Sequence, residues 1–437
     1  MKKLITTLVV FICITISVKV LSGSPSFKGR ALPISSTDNS IISIEGADRI
    51  TKTMQNHVDE GRLPGVMTMI SHKGNIVYWN ALGMRDIESE DPLERDDIFR
   101  IYSMTKPITS TAIMMLVEKG KISLDDSVSK FIPAFENLEV LAEDGTRRAA
   151  KRAITIRHLL SHTSGLTYGY FGDSKVDKIY LAADIFSAKN LNNFVNNVAK
   201  LPLLSHPGEK WNYSVSTDVL GFVVQVVSGK PFEDFLAEEV FKPLGMDDTA
   251  FWVPKNKIER FVSRYQILDD NLQLKDSFKD SKYKSKPARV SGGGGLVSTA
   301  SDYIRFAQML LQGGQLEGVR LLQPETVDMM RSNQLPESHG PITIPGWIPP
   351  AYGFGLGFAT LIDQEITSDA DHNGIFRWAG VANTFFWIDP EAELIAMVWT
   401  QLDPFLVYGL ENEFQSLVYQ AIEETKKKSL AKSSNAE

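Results

Sequence analysis

The stretch Phe99-Arg-Ile-Tyr-Ser103-Met-Thr-Lys106-Pro-Ile-Thr-Ser-Thr-Ala-Ile-Met-Met-Leu-Val-Glu-Lys-Gly120 decides how the rest of the chain is read. Ile108, Ala112, Met115 and Leu116 recur at helical spacing, and Ile113, Met114 and Val117 fill much of the other face. The pattern predicts a helix buried almost all round. Pro107 fits only near a helix start, where the first N–H groups have no intrahelical partner, and Gly120 is a natural stop. Ser103 and Lys106 therefore fall in or just ahead of the first turn, three residues apart and pointing roughly the same way. A hydroxyl and an amine held together at the mouth of a buried helix are a candidate nucleophile and base.

Spacing alone is weak evidence for that chemistry. Ser127/Lys130, Ser281/Lys284 and Ser429/Lys432 share it, in polar or terminal sequence. Only Lys106 lies where burial can lower its proton affinity from about 10.4 towards roughly 7 to 8, as a lysine base requires. On the motif alone, a helix-capping serine beside a surface lysine is the rival reading. Other chemistries find less support. No Gly-x-Ser-x-Gly nucleophile elbow occurs. His158 and His162 are four apart but lack the glutamate of a metalloprotease helix, and Gly292 to Gly295 lack a phosphate loop's Gly-Lys-Ser/Thr ending. No metal and no cofactor is expected.

With 437 residues, 43% hydrophobic and 23% charged, the chain has a globular composition sufficient for one large domain or two packed ones. A net charge of −7 argues against a nucleic-acid partner. The basic clusters Arg147-Arg148 with Lys151-Arg152, and Lys279 to Arg289, read as solvated loops. Met1-Lys2-Lys3, the apolar run Leu4 to Val18 and the small residues at Ser22-Gly23-Ser24 form a secretory signal pattern over 1–23. Lys19 shortens it below a comfortable membrane span, although an uncleaved anchor is the alternative. The expectation is export, to the periplasm or outside the cell if the source is bacterial. The single cysteine, Cys13, lies in that segment, so the mature chain has no disulfide and no thiol nucleophile.

Residues 24–44 are polar with two prolines and are expected to be a flexible lead-in. A catalytic domain over 45–425 follows, then a polar tail at 426–437. Its first and last parts, 45–102 and 290–425, carry strand patterns. These include Gly65 to Lys73, Asn75 to Gly83, Tyr352 to Leu361, Gly374 to Trp378, Asn383 to Ile388 and Glu393 to Thr400. A closing helix is expected over Tyr408 to Glu424, and residues 103–289 read as helical. The expected fold is mixed α/β, of the α+β class: one antiparallel sheet built from both chain ends and flanked by helices, plus an all-helical lobe, with a cleft between them.

The segment Phe-Arg-Ile-Tyr-Ser103-Met-Thr-Lys106-Pro resembles the active-site segment of the serine β-lactamase and penicillin-binding superfamily, most closely the branch called family VIII carboxylesterases. Leu159-Leu-Ser-His-Thr-Ser-Gly-Leu166, Trp211-Asn-Tyr213-Ser-Val215 and Trp378-Ala379-Gly380 follow in the superfamily's order, and the resemblance covers roughly 45 to 425. It implies a β-lactamase-like fold with Ser103 as acylated nucleophile, Lys106 as its base and Tyr213 as proton relay. The N–H groups of Ser103 and Val381 would form the oxyanion hole, and Val215, Trp378, Ala379 and Gly380 would meet substrate. The antibiotic-directed members carry asparagine where this chain has Val215 and a cation where it has Trp378. An amide substrate loses a hydrogen-bond partner and a carboxylate loses its counter-ion. The expected substrate is a small neutral carboxylic ester with a short acyl chain, held by an apolar pocket to which Tyr168, Tyr170, Phe171, Trp347 and Tyr352 are suited. A β-lactamase or D-alanyl-D-alanine carboxypeptidase is the alternative enzyme, and a non-catalytic binding protein with the same fold is the alternative of another class.

Overall fold

The computed structural model describes residues 31–35, 41–344, 346–363 and 372–434, with side chains to 431. The predicted signal segment lies outside the described residues. Nine antiparallel strands form the main sheet among them. In chain order they are β1 (Gly65–His72), β2 (Asn75–Asp86), β3 (Asp91–Pro92), β4 (Ile342–Ile344), β5 (Ile348–Phe354), β6 (Ala359–Leu361), β7 (Phe376–Gly380), β8 (Thr384–Asp389) and β9 (Leu394–Trp399). Their spatial order is β4-β5-β6-β7-β8-β9-β1-β2-β3. The two ends of the chain meet where β1 pairs with β9, from Met67 opposite Trp399 to His72 opposite Leu394.

Five helices frame the site: α1 (Ile44–Asp59), α2 (Thr105–Glu118), α3 (Ser216–Ser228), α4 (Ala300–Leu311) and α5 (Leu410–Ser434). Successive strand residues point to opposite faces, and β8 shows how this sorts the layers. Phe386 packs on Tyr303 of α4 with ring centroids 5.1 Å apart, whereas Trp387 packs on Phe414 of α5 at 5.7 Å. α1 lies against α5, where a Cβ on Gly46 would come within 2.7 Å of the Ala421 Cβ. Helix α2 runs between sheet and middle lobe, with every residue from Thr105 to Leu116 buried. Each fully buried Ile, Leu or Met there contributes about 1.5–3 kcal/mol, and that sum offsets the cost of burying Lys106 among them.

Several expectations need correction. The lead-in over 24–44 is in part packed: Leu32 and Ile42 are buried, and the backbone of Pro33 and Ser35 hydrogen-bonds Ile76 along β2. The apolar residues there outweigh the polar composition. The middle lobe is not all-helical. It includes the hairpins Glu139–Leu141 with Arg147–Ala149, and Arg264–Leu268 with Asn271–Asp276. The second turns at Asp269 and Asp270, both with positive φ, which short polar side chains tolerate better than most. The run Tyr352 to Leu361 is two strands, because Gly357 takes a φ of +113° between them. The closing helix starts at Leu410, after Leu406 and Tyr408 with positive φ, and continues through the expected polar tail to Ser434. Lys, Glu, Ala and Leu are good helix formers, and Glu423 pairs with Lys426 and Lys427 on successive turns.

Candidate active site

Ser103 sits in the short 3-10 turn Tyr102–Met104 that leads into α2, and Lys106 and Pro107 fall in the first turn of that helix. The turn is fixed on several sides. Ile101 N–H donates to the Leu296 carbonyl at 3.1 Å, the Tyr303 hydroxyl donates to the Met104 carbonyl at 3.0 Å, and Leu296 N–H donates to Thr105 Oγ1 at 3.1 Å. Ser103 is half-buried on this rigid support.

Lys106 is fully buried, with Nζ 3.2 Å from Ser103 Oγ and donating to the Gly293 carbonyl at 2.6 Å. Removal from water pushes its proton affinity down to about 7, against a smaller opposing pull from Asp218. Tyr213 donates its hydroxyl hydrogen to Ser103 Oγ at 2.7 Å. Burial raises the Tyr213 phenol well above the usual range, so it is protonated and is a donor at neutral pH. The three groups form one chain of hydrogen bonds, from Tyr213 through Ser103 to Lys106 to the Gly293 carbonyl. When Lys106 is neutral, its lone pair faces the serine hydroxyl.

The sequence-derived partners separate into two groups. Val381 is half-buried beside the strand end, and neither its N–H nor that of Ser103 has an acceptor among the described residues. Gly380 lets β7 approach the nucleophile turn: a Cβ there would lie 2.4 Å from the Ile101 carbonyl and from Thr384 Oγ1. Trp378 is opposite Phe386 in the ladder and so shares its face; Arg377 pairs with Trp387 on the other face and bonds Glu411 at 2.6 Å. The cation next to Trp378 is thereby committed behind the sheet. Trp378 is 1% exposed and Ala379 4%. The Trp378 indole packs at tilted or edge-on angles with its ring centroid 5.4 Å from Tyr213, 5.1 Å from Trp347 and 5.3 Å from Phe354. Its Nε1 closes no hydrogen bond of good geometry, but it lies near enough to the Tyr213 phenol to ease that group's ionisation slightly. Val215 is fully buried at the start of α3 and presents no surface to a ligand. Of the aromatic residues expected at the pocket, Tyr168 and Phe171 pack on Tyr213 at 5.2 and 5.5 Å, and exposed Tyr170 packs on Phe171. Tyr352 instead joins the Arg377 network, its hydroxyl 3.4 Å from Arg377 Nη1.

Four contributors were not singled out from sequence. The Gly293 carbonyl orients Lys106; a Cβ at Gly293 would lie 2.4 Å from Asp218 Oδ2 and 2.9 Å from the Tyr168 hydroxyl, so a larger residue would displace one or both. Asp218, 1% exposed, takes a 2.5 Å hydrogen bond from Ser291 and lies 3.5 Å from Arg289. His162 accepts the Ser214 N–H at 3.3 Å and packs 5.0 Å from Tyr213, and burial beside Lys106 holds it neutral. Phe354 closes the cage around Trp378 and His162. The glycine run and the Ser-His-Thr-Ser-Gly segment were the visible signals for the first and third. His158 caps its own helix, with Nδ1 accepting Thr155 N–H at 3.2 Å.

This chain belongs to the Beta-lactamase family, whose sequence profile matches residues 50–419. It is 35% identical to an uncharacterized protein of Mycobacterium tuberculosis over 80% of this chain and 88% of that one. It is 30% identical to Esterase EstB of Burkholderia gladioli, over 84% and 93%. Among solved structures it is similar to EstCE1, described as a hydrolase with promiscuous acyltransferase activity, with a TM-score of 0.73 and 28% identity over 86% of this chain and 98% of that one. The relatives therefore include hydrolases and acyl-transferring enzymes, on the same fold.

Proposed function

We propose that the chain is a serine esterase that cleaves small, neutral carboxylic esters with short acyl chains through an acyl-Ser103 intermediate. One observation carries this reading: Ser103 Oγ lies between a buried, partly neutral Lys106 at 3.2 Å and a protonated Tyr213 at 2.7 Å. Neutral Lys106 takes the serine proton as Oγ bonds to the ester carbon. The N–H groups of Ser103 and Val381 stabilise the oxyanion. As the C–O bond to the alcohol breaks, Tyr213 passes a proton to the departing oxygen and is reprotonated by the Lys106 ammonium. Water then attacks by the same route in reverse, and the acid is released. An alcohol in place of water would give acyl transfer, by identical steps.

Substrate choice follows from what surrounds the nucleophile. Tyr213 is enclosed by Trp378, Tyr168, Phe171 and His162, with His162 neutral. These apolar or neutral neighbours, with exposed Phe171 and Tyr170 beside them, suit an ester and offer a β-lactam or peptide carboxylate no counter-ion. The test is a panel of p-nitrophenyl acetate, butyrate and octanoate beside a chromogenic cephalosporin and a D-alanyl-D-alanine peptide, with a fluorophosphonate labelling assay. Butyrate turnover at least about a hundredfold above the cephalosporin in kcat/KM, a margin of roughly 2.7 kcal/mol, and one label on Ser103 are expected. Rapid cephalosporin turnover with negligible ester cleavage would establish the antibiotic-directed reading instead; absence of any label would favour a binding protein.

The partner on this reading is the small-molecule ester, with no nucleic acid and no stable membrane span after signal removal. No helix among the described residues is long and apolar enough to cross a membrane. The charged, apolar and small-residue pattern over 1–23 supports export, and the mass of the protein recovered from an exporting host should begin near Ser24. A full-length mass would overturn cleavage.

A further inference from the structure

The chemistry above leaves unused a polar cluster behind the nucleophile. Tyr102, immediately before Ser103, has a φ of +42°. That left-handed conformation is uncommon for a bulky residue and carries a cost that the surrounding packing offsets. The Tyr102 side chain is held by Arg264, whose Nη1 donates to the Tyr102 hydroxyl at 2.5 Å and whose guanidinium carbon lies 4.9 Å from the ring centroid. Arg264 Nη2 pairs with Asp403 Oδ1 at 2.6 Å, and Lys275 holds Asp403 Oδ2 at 2.8 Å. The strand Arg264–Leu268 runs parallel beside Leu402–Asp403, so this contact is part of a ladder and not a loose surface pair.

The same segment, 401–406, also grips the Val381 turn. Asn383, two residues beyond Val381, donates from Nδ2 to the Leu402 and Pro404 carbonyls at 2.8 and 2.9 Å, and its Oδ1 accepts the Leu406 N–H at 2.8 Å. Leu402 N–H donates to the Ala382 carbonyl at 3.2 Å. On the nucleophile side, Gln401 brackets the Arg100 backbone, accepting its N–H at 3.2 Å and donating to its carbonyl at 3.1 Å. One short segment is therefore tied to the backbone on both sides of the position a substrate oxyanion would take.

We propose that Arg264, acting through Tyr102 and Asp403, is a positioning residue that fixes the spacing of the Ser103 and Val381 N–H groups and so sets the strength of the oxyanion hole. This rests on the assignment of those two amides to the oxyanion. Arg264 touches no substrate; its effect is on geometry, and a misplacement of about 1 Å in such a site costs on the order of a hundredfold.

The test uses Arg264→Met, Arg264→Lys, Tyr102→Phe and the Arg264→Met/Tyr102→Phe pair in the full mature chain, with rates per site titrated by fluorophosphonate. Arg264→Met should lower kcat for the butyrate ester by about 10- to 100-fold with little change in KM. It should weaken a boronic acid, which forms an anionic tetrahedral adduct on Ser103, by a similar factor. The pH at which the rate rises should not move, because Lys106 is untouched. Arg264→Lys should recover part of the rate, and the pair should be no worse than Arg264→Met alone, since both changes break one link. The proposal is overturned if kcat per titrated site is unchanged while only thermal stability falls, if the loss appears wholly in KM, or if the two losses multiply. A wild-type protein that takes no label at Ser103 would instead bring down the esterase reading itself, and that outcome is visible before any variant is made.

Discussion

A Ser103→Ala variant is expected to lose ester hydrolysis by roughly five to six orders of magnitude in kcat, the largest effect of any single change in the chain. The serine oxygen is the one atom that both Lys106 and Tyr213 address, so removing it leaves a base and an acid with nothing between them. The remaining rate would be what the oxyanion N–H groups and binding give a water molecule. Stability should hardly change, because Ser103 is half-buried and its side chain caps no helix. Lys106 keeps its 2.6 Å bond to the Gly293 carbonyl without it. Steady-state kinetics on p-nitrophenyl butyrate and intact-mass labelling check this together. A variant retaining more than about a hundredth of the wild-type rate, free of wild-type contamination, would disprove acylation at Ser103.

Lys106→Met is expected to lower kcat/KM by roughly a hundred- to ten-thousand-fold and to make the protein more stable. The two effects share one cause, the burial of an amine in an apolar helix. In the wild type, kcat/KM should rise with pH through about 7 as Lys106 loses its proton and becomes a base, and this limb should vanish in the variant. The limb belongs to the coupled site, but Tyr213 does not contribute to it near neutrality, since its phenol is pushed up and stays protonated. For stability, the unfolded chain holds the lysine proton up to about 10.4, whereas the folded chain releases it near 7. Between those values unfolding takes up a proton, so the wild type gains stability as pH rises across that window. Below it the full cost of burying the charge applies. The variant should therefore melt higher than the wild type at pH 6, and the gap should close towards pH 10. Melting curves of both proteins across that range decide it; a variant less stable at every pH would mean that the lysine is held as a favourable ion.

Much of this site was legible in the sequence because its core is local. Ser103 and Lys106 lie on one turn, and Ile108 with the apolar run Ala112 to Val117 announces the burial that lowers the lysine's proton affinity. Tyr213, Val381 and Trp378 were reached only through resemblance, since nothing in local pattern links positions more than a hundred residues away to Ser103. Val215 and Trp378 show the limit of that route: the places correspond, but both side chains are sealed in the core. Tyr352 shows another, where an aromatic residue near the site in sequence terms serves the Arg377–Glu411 pair under α5.

The helix of the nucleophile and the apolar strand runs at both ends follow from the chain alone, because each depends on the periodicity or identity of residues near one another. Tertiary structure alone decided the rest. Strand pairing between β1 and β9 brings the two ends into one sheet, and the face on which Trp378 or Arg377 lands follows from register in that sheet. The Gly293 carbonyl, the Asp218 carboxylate and the neutral His162 converge from three separate segments. The brace from Arg264 through Tyr102 and Asp403 is of the same kind. Its members are single polar residues without periodicity, and only the packing of distant backbone segments, which the entropy of a free chain hides from any local pattern, sets them within hydrogen-bond reach of one another.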